Sequence, residues 1–193
     1  MAHSIMTEMT KLILSKSLKK LLSKKPLNKI TVKDIVSDCK LTRQTFYYHF
    51  QDIFELLDWT YKNELGHILH TANNSSWDIV IKGILNYIKE NKSMFAYTIQ
   101  SVGREHFEQA VYPNLYEFSK NKIYKASLEL EIPTDKIHFL ANLQTITLLS
   151  VIIQWANNGM KENIDEIVQM LDMTLNSAMS NILQEYESES SNC

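Results

Sequence analysis

Residues 30–50 read Ile-Thr-Val-Lys-Asp-Ile-Val-Ser-Asp-Cys-Lys-Leu-Thr-Arg-Gln-Thr-Phe-Tyr-Tyr-His-Phe. Two short helices are written into this stretch. Thr31, followed three residues on by Asp34, forms a capping box with Asp in place of the usual Glu, and the acidic charge also suits a helix N-terminus. Val32, Ile35, Val36 and Cys39 give this first helix one apolar face, and it ends near Cys39. Thr42 is the N-cap of a second helix through Arg43, Gln44, Thr45, Phe46, Tyr47 and Tyr48. Only Cys39-Lys40-Leu41 connects them. Two helices joined by so short a turn make a helix-turn-helix. In that arrangement the second helix enters the major groove of DNA with its N-terminal residues at the base edges.

The charge distribution agrees. The net charge of the 193 residues is −2. Residues 1–50 hold nine lysines and Arg43 against Glu8, Asp34 and Asp38, a net +7, while residues 51–193 carry a net −9. A basic end on an acidic body suits docking on a polyanion, although lysine-rich helices are also simply well solvated.

The rest of the chain reads as helix. Only 4 Gly and 3 Pro argue against a turn-dense β fold, and 45% hydrophobic with 22% charged residues is the composition of a globular protein. A first helix runs from Glu8 to Lys24 with Leu14, Leu18, Leu21 and Leu22 on one side, and Pro26 and Asn28 end it. Asp52 caps a fourth helix with Phe54, Leu57, Tyr61, Leu65 and Ile68 as its stripe. Asn73-Asn74-Ser75-Ser76 is the best boundary candidate, and Ser76 caps a helix from Trp77 to about Asn91. Ser93 is expected to cap a short helix, Met94 to Val102, and Pro113 to kink or split the segment from Arg104 to Glu131.

Thr134 to Asn157 is apolar on most sides and must be covered on most sides. Ile137, Leu140, Ala141, Leu148, Val151, Ile152 and Trp155 form one face, and Leu143, Ile146, Leu149 and Ile153 much of another. Gly159 stops it. From Asn163 to Tyr186 a second stripe recurs through Ile164, Ile167, Leu171, Leu175, Ala178 and Ile182, widened by Met170, Met173 and Met179. Periodicity alone fits a subunit interface and an intramolecular core equally well.

Other classes find little support. Cys39 and Cys193 make neither a disulfide framework nor a zinc cluster. No signal-peptide pattern opens the chain, and the most apolar run, Thr145 to Ala156, is shorter than the roughly 20 residues of a membrane span. A soluble, cytoplasmic protein with no membrane partner is the expectation. No nucleophile elbow, phosphate-cradling loop or His-Glu-x-x-His occurs, so neither an enzyme nor a cofactor is expected. His67 and His70 sit three apart and read as an exposed polar face rather than a metal site.

Ile30 to Ile35, then Leu41 to Phe50, then Glu55-Leu56-Leu57 closely resemble the DNA-binding domain of TetR-family transcriptional regulators. The likeness covers residues 8–57, with Thr45-Phe46-Tyr47-x-His49-Phe50 as its most specific part. Arg43 to Phe50, and Asp58-Trp59 after Leu57, look most like regulators of dihydroxyacetone kinase operons. The resemblance implies an all-α subunit of nine helices. It would comprise a helix-turn-helix domain (1–51), a regulatory and dimerisation domain (52–187) and a polar tail (188–193). It implies a homodimer through the last two helices on a pseudo-palindromic double-stranded operator, with an effector pocket within helices 5 to 8. The effector is a small molecule or a protein co-regulator, and the dihydroxyacetone-kinase branch implies activation with the latter. Two positions depart from the pattern: Lys40 stands where the turn usually has Gly, and Ile53 where a Lys commonly opens helix 4. They leave room for a second reading, a protein-interaction module with weak intrinsic DNA binding.

Residue chemistry nominates the contacts. Arg43 and Gln44 can reach guanine or adenine edges, and Thr45 a thymine methyl. Lys29, Thr31, Lys33, Thr42, Tyr47 and His49 can donate to phosphate. Tyr47 and His49 serve equally as braces of the recognition helix, Tyr48 either faces the groove or does not, and Phe46 and Phe50 belong to the core. For an effector, Tyr87, Phe95, His106, Phe107, Tyr116, Asn142, Gln144 and Trp155 are the aromatic and polar candidates.

Overall fold

The computed structural model describes the backbone of residues 2–72, 75–127 and 132–190. It describes their side chains except at 2–4, 100–104, 106, 178–179, 182–183 and 185–190. Among these residues every element is helical. In chain order they are α1 (Ala2–Leu22), a 3-10 helix (Leu27–Lys29), α2 (Val32–Asp38), α3 (Arg43–His49) and α4 (Ile53–Thr71). Then come α5 (Trp77–Glu90), α6 (Lys92–Ala126), α7 (Thr134–Asn157) and α8 (Ile164–Ser190). The chain forms two compact units, one of residues 1–64 and 90–110, the other of 65–89 and 111–193. The units are not cut at residue 52, because α4 and α6 each contribute a segment to both. The polar tail read from residue 188 is helical as far as Ser190, and 191–193 lie outside the described residues, as do 73 and 74 of the expected boundary.

In the first unit Leu14, Leu18 and Leu22 of α1 are fully buried, and Ile35, Val36, Phe46 and Phe50 close over the same core. Buried hydroxyls are paired within it: Ser17 Oγ donates to the Ile35 carbonyl at 2.9 Å, and Thr60 Oγ1 to Ser15 Oγ at 3.0 Å. Such pairing offsets the cost of taking these groups out of water. The α4 stripe is rotated from the one expected. Leu56, Leu57, Tyr61, Leu65 and Leu69 are buried, whereas Phe54 is exposed and Ile68 half-buried. Tyr61 meets Phe95 and Phe107 at ring centroid distances of 5.2 and 5.3 Å, and its hydroxyl donates to Thr98 Oγ1 at 2.9 Å.

Both predicted caps of the helix-turn-helix are present. Thr31 Oγ1 accepts from the Asp34 N–H at 3.2 Å while Asp34 Oδ2 accepts from the Thr31 N–H at 2.9 Å. Thr42 Oγ1 accepts from the Thr45 N–H at 3.1 Å. Between them α2 ends in a Schellman closure: the Leu41 N–H reaches the Val36 carbonyl at 2.9 Å and the Lys40 N–H the Ser37 carbonyl at 3.5 Å. Lys40 carries the left-handed φ of 56° that this closure requires.

In the second unit α5 buries Val80, Ile81, Ile84, Leu85 and Ile88, and α8 buries Ile164, Val168, Leu171 and Leu175. The expected break between Val102 and Arg104 is absent: α6 is one helix of 35 residues with Pro113 inside, and Ser93 lies within its first turn rather than capping a separate element. A helix-interior Gly costs only about 1 kcal/mol, and Gly103 does not end the helix. Pro113 and Gln109, whose carbonyl loses its donor, are both exposed, so water can replace the missing hydrogen bond. α7 spans the 24 residues predicted, and at a mean hydropathy of 1.4 over its most apolar window it is long and apolar enough to cross a membrane. The apolar run Thr145 to Ala156 therefore understates its length. Half of that window is buried inside the protein, including Gln144 and Thr145. Gly159, with φ 82°, terminates α7 through a second Schellman closure, Met160 N–H to the Trp155 carbonyl at 2.9 Å.

Two outcomes follow from the helix-turn-helix closures. Lys40→Gly relieves a left-handed non-glycine residue and is expected to raise stability by about 1 kcal/mol, read as an increased urea midpoint at unchanged slope. The Lys25 ammonium, then the Thr31 N–H and hydroxyl, hold the Asp34 carboxyl down to about 2. A depressed carboxyl contributes stability that is present above its ordinary value of 3.8 and is lost as pH falls toward 2. Acid unfolding followed by circular dichroism should therefore shift to higher pH in Asp34→Asn, with a shallower dependence across that window.

Candidate nucleic-acid interface

The surface of α2 and α3 is assembled from the ends of two capped helices. Arg43 and Gln44, the first two residues of α3, are exposed and make no side-chain hydrogen bond among the described residues. Phe46, fully buried, anchors the opposite side of the helix. Thr45 is half-buried and its hydroxyl is paired with that of Thr42 at 2.9 Å. One proton of that pair, and the methyl of Thr45, remain for a partner molecule. Thr31 is exposed; its oxygen is used as a cap acceptor, which leaves its O–H proton to donate.

The aromatics separate by exposure. Tyr47 rests edge-on against Phe46 at 5.5 Å yet is 58% exposed, so it is not a core brace. Tyr48 is 69% exposed and meets the His49 ring edge-to-face at 4.9 Å. His49 is half-buried, and burial first, then the Lys11 charge, lower its pKa from 6.5.

The cations also separate. Lys20 and Lys25 are spent on Asp38 and Asp34, and Lys19 on Glu64. Lys24, Lys29, Lys33 and Lys40 are exposed and, with Arg43, have no ion-pair partner among the described residues. Of the uncompensated charge in the first 50 residues, Lys16 on α1 carries one unit and the rest lies in and next to the helix-turn-helix. Lys24 and Lys40 were not among the contacts chosen from the sequence; their unpaired charge was legible only once the ion pairs were known. At the start of α4, Ile53 is half-buried between two carboxylates, with Asp52 Oδ1 accepting from the Glu55 N–H at 2.9 Å and Glu55 Oε2 from the Gln51 N–H at 2.6 Å. That end is acidic, and it satisfies its own backbone.

The described effector candidates divide between the two units. Phe95 and Phe107 are core of the first unit, packed on Tyr61. The other described ones belong to the second. There Trp155 is buried with its Nε1–H donated to the Glu162 carbonyl at 3.2 Å, and Asn142 is exposed and accepts from the Tyr112 hydroxyl at 2.7 Å. Tyr116 bonds His138, Tyr87 is half-buried, and Gln144 is buried with Oε1 unpartnered among the described residues. The His106 side chain lies outside the described residues. A cavity of about 440 Å³ in the second unit is lined by Lys120, Tyr124, Ser127, Ile132, Thr134 and His138 among others.

Known proteins extend this picture. Residues 16–58 match the family model described as "Bacterial regulatory proteins, tetR family", and residues 75–177 the TetR-type model described as "Transcriptional regulator C-terminal region". The HTH-type dhaKLM operon transcriptional activator DhaS of Lactococcus lactis subsp. lactis (strain IL1403) is 31% identical over 96 residues, 49% of this chain and 50% of that protein. The match thus spans about half the length of this curated relative. Among solved structures, the dihydroxyacetone kinase operon activator DhaS superposes with a TM-score of 0.72 at 19% identity, covering 89% of this chain and 96% of that one. A TetR transcriptional regulator from Streptococcus agalactiae 2603V gives 0.61 at 18% identity, covering 91% and 98%. The fatty acid degradation regulator FadR from Bacillus halodurans gives 0.59 at 12%, covering 84% and 96%. At these identities the structural likeness is one of fold. The two family matches together cover both the helix-turn-helix and most of the helices after it, and on them the chain belongs to the TetR family of transcriptional regulators.

Proposed function

We propose that this chain is a homodimeric, sequence-specific DNA-binding regulator that reads a pseudo-palindromic operator and answers to a small-molecule or protein effector. The observation that carries the reading is the pair Arg43 and Gln44, exposed and uncommitted at the start of a capped helix, in a module with unpaired cations. Arg43 reads a guanine edge and Gln44 an adenine edge. Lys29, Lys33, Thr31, Thr42 and Tyr47 hold the phosphates and set the register, and Tyr48 reaches the groove. His49, whose pKa partial burial lowers in the free chain, donates to a phosphate.

Dimerisation runs through α7 and α8. Phe139, Leu143 and Ile146 on α7 are 64, 49 and 49% exposed, and Met170 and Met173 on α8 are 68 and 65% exposed. Each set follows helical spacing, and covering what remains exposed of each side chain is worth at most about 1.5–3 kcal/mol. The dhaKLM relative is an operon activator, and activation is the sense extended here. A second reading, DNA binding only with a co-regulator, draws on the acidic start of α4, where Asp52 and Glu55 would face phosphate.

Selection from a random duplex pool tests the proposal: an enriched inverted repeat with half-sites about one DNA turn apart is the expected result. No enrichment by the folded chain favours the second reading. Arg43→Ala should cost about 1–3 kcal/mol on the selected site and relax it at one position, whereas Lys33→Ala should weaken all sequences alike and reduce the salt slope by about 1. Leu143→Glu should sediment as a monomer and lose operator affinity. Phosphate beside His49 raises its pKa, so binding takes up a proton; affinity should rise as pH falls from about 7.5 to about 6, and His49→Gln should flatten that rise.

A further inference from the structure

The cavity of about 440 Å³ in the second unit lies between the C-terminal end of α6 and the first turns of α7. Its size is in the range of small-molecule sites. Its floor is apolar and fixed. Ile132 and Ile137 are 9 and 7% exposed and belong to one packed cluster with Ile123, Leu140 and Ala141. Its rim is polar: Lys120, Asn121, Tyr124, Ser127, Thr134 and His138. Among the described lining residues none is a carboxylate, and Lys120 brings their permanent charge.

Two features prepare this rim for a ligand. His138 Nδ1 is bonded to the Tyr116 hydroxyl, and the two rings stack with centroids 6.2 Å apart and planes 25° apart. Tyr112 continues the stack on Tyr116 at 5.7 Å and 12°. The imidazole is thereby held in one orientation with Nε2 as its remaining polar atom. The Lys120 ammonium lies 5.7 Å from the Tyr116 ring and 2.7 Å from Glu117 Oε1. Glu117 is 57% exposed on its side chain and one turn away, so the pair is a weak surface contact that a better-desolvated anion can displace.

None of these groups serves the DNA interface. A cation would find no carboxylate among the described lining residues, and a wholly apolar ligand would strip water from an ammonium and three hydroxyls without replacing it. We propose that this cavity binds a small organic anion, with its carboxylate or phosphate at Lys120 and His138 and a flat apolar body on Ile132 and Ile137. The site sits on the first turns of the helix that carries Phe139, Leu143 and Ile146. Its use as an effector site rests on the reading of the chain as a DNA-binding regulator; ligand binding itself does not.

The test is therefore run on the full chain without DNA, so that its failure and the failure of the DNA reading are separate results. Amide NMR is recorded with salicylate, with phenyl phosphate and with benzyl alcohol, which keeps the ring and drops the charge. Saturable shifts at Ser127, Thr134 and Ile137 with both anions, and binding of benzyl alcohol weaker by about tenfold or more, are expected. Lys120→Gln should lose about tenfold in salicylate affinity, while Glu117→Gln, which removes the competing carboxylate, should gain affinity. Thermal unfolding of both variants checks that they are folded. The proposal is overturned if neither anion gives a saturable shift at millimolar concentration, or if benzyl alcohol binds as tightly. It is equally overturned if Lys120→Gln binds undiminished, or if both substitutions weaken binding alike.

Discussion

The hydrogen bond from the Leu41 N–H to the Val36 carbonyl is the constraint on which the functional end of this protein depends. It closes α2, turns the chain through a left-handed Lys40, and delivers Thr42 in the extended conformation (φ −98°, ψ 158°) that an N-cap needs. From there the direction of α3 is set. Phe46 is driven into the small core, and the same helical period puts Arg43, Gln44 and Tyr47 on the outside. The strain of a lysine at that corner is offset by three backbone and side-chain closures within seven residues of it, at Val36, Ser37 and Thr42.

The electrostatics of the module follow from the same economy of space. Asp34 is held by the capping box and by Lys25, and Asp38 by Lys20, so the module's own acids are neutralised by two of its lysines. What remains positive is what faces outward. Pairs this exposed contribute little to stability. Their effect is on the field, because they decide which of the nine N-terminal lysines a polyanion meets.

The second unit is organised by apolar helix faces with a few internal polar bonds. Lys122 Nζ donates to the Ser75 carbonyl beneath the rings of Trp77 and Phe118, tying the start of α5 to α6. Trp155 reaches the Glu162 carbonyl across the turn that Gly159 makes between α7 and α8. α7 keeps one face inside and leaves Phe139, Leu143 and Ile146 outside. A helix apolar on most sides is thus only half covered by its own chain.

The sequence by itself determined what depends on neighbours within four residues: both caps of the helix-turn-helix, the cap at Asp52, the stop at Gly159 and the 24-residue span of α7. Capping and periodicity are local physics. It misjudged α6 at Gly103, because keeping a glycine inside the helix costs only about 1 kcal/mol, which packing along 35 residues outweighs. Only the tertiary structure decided which aromatics are core. Tyr61, Phe95 and Phe107 meet across more than 30 positions of chain, and nothing local distinguishes them from pocket walls. Likewise Lys120 and His138, 18 residues apart on different helices, came to share a cavity through the packing of α6 on α7 around Ile123 and Ile137. Burial and cavities are properties of the assembled volume, and a one-dimensional pattern carries them only where the period of a helix happens to report them.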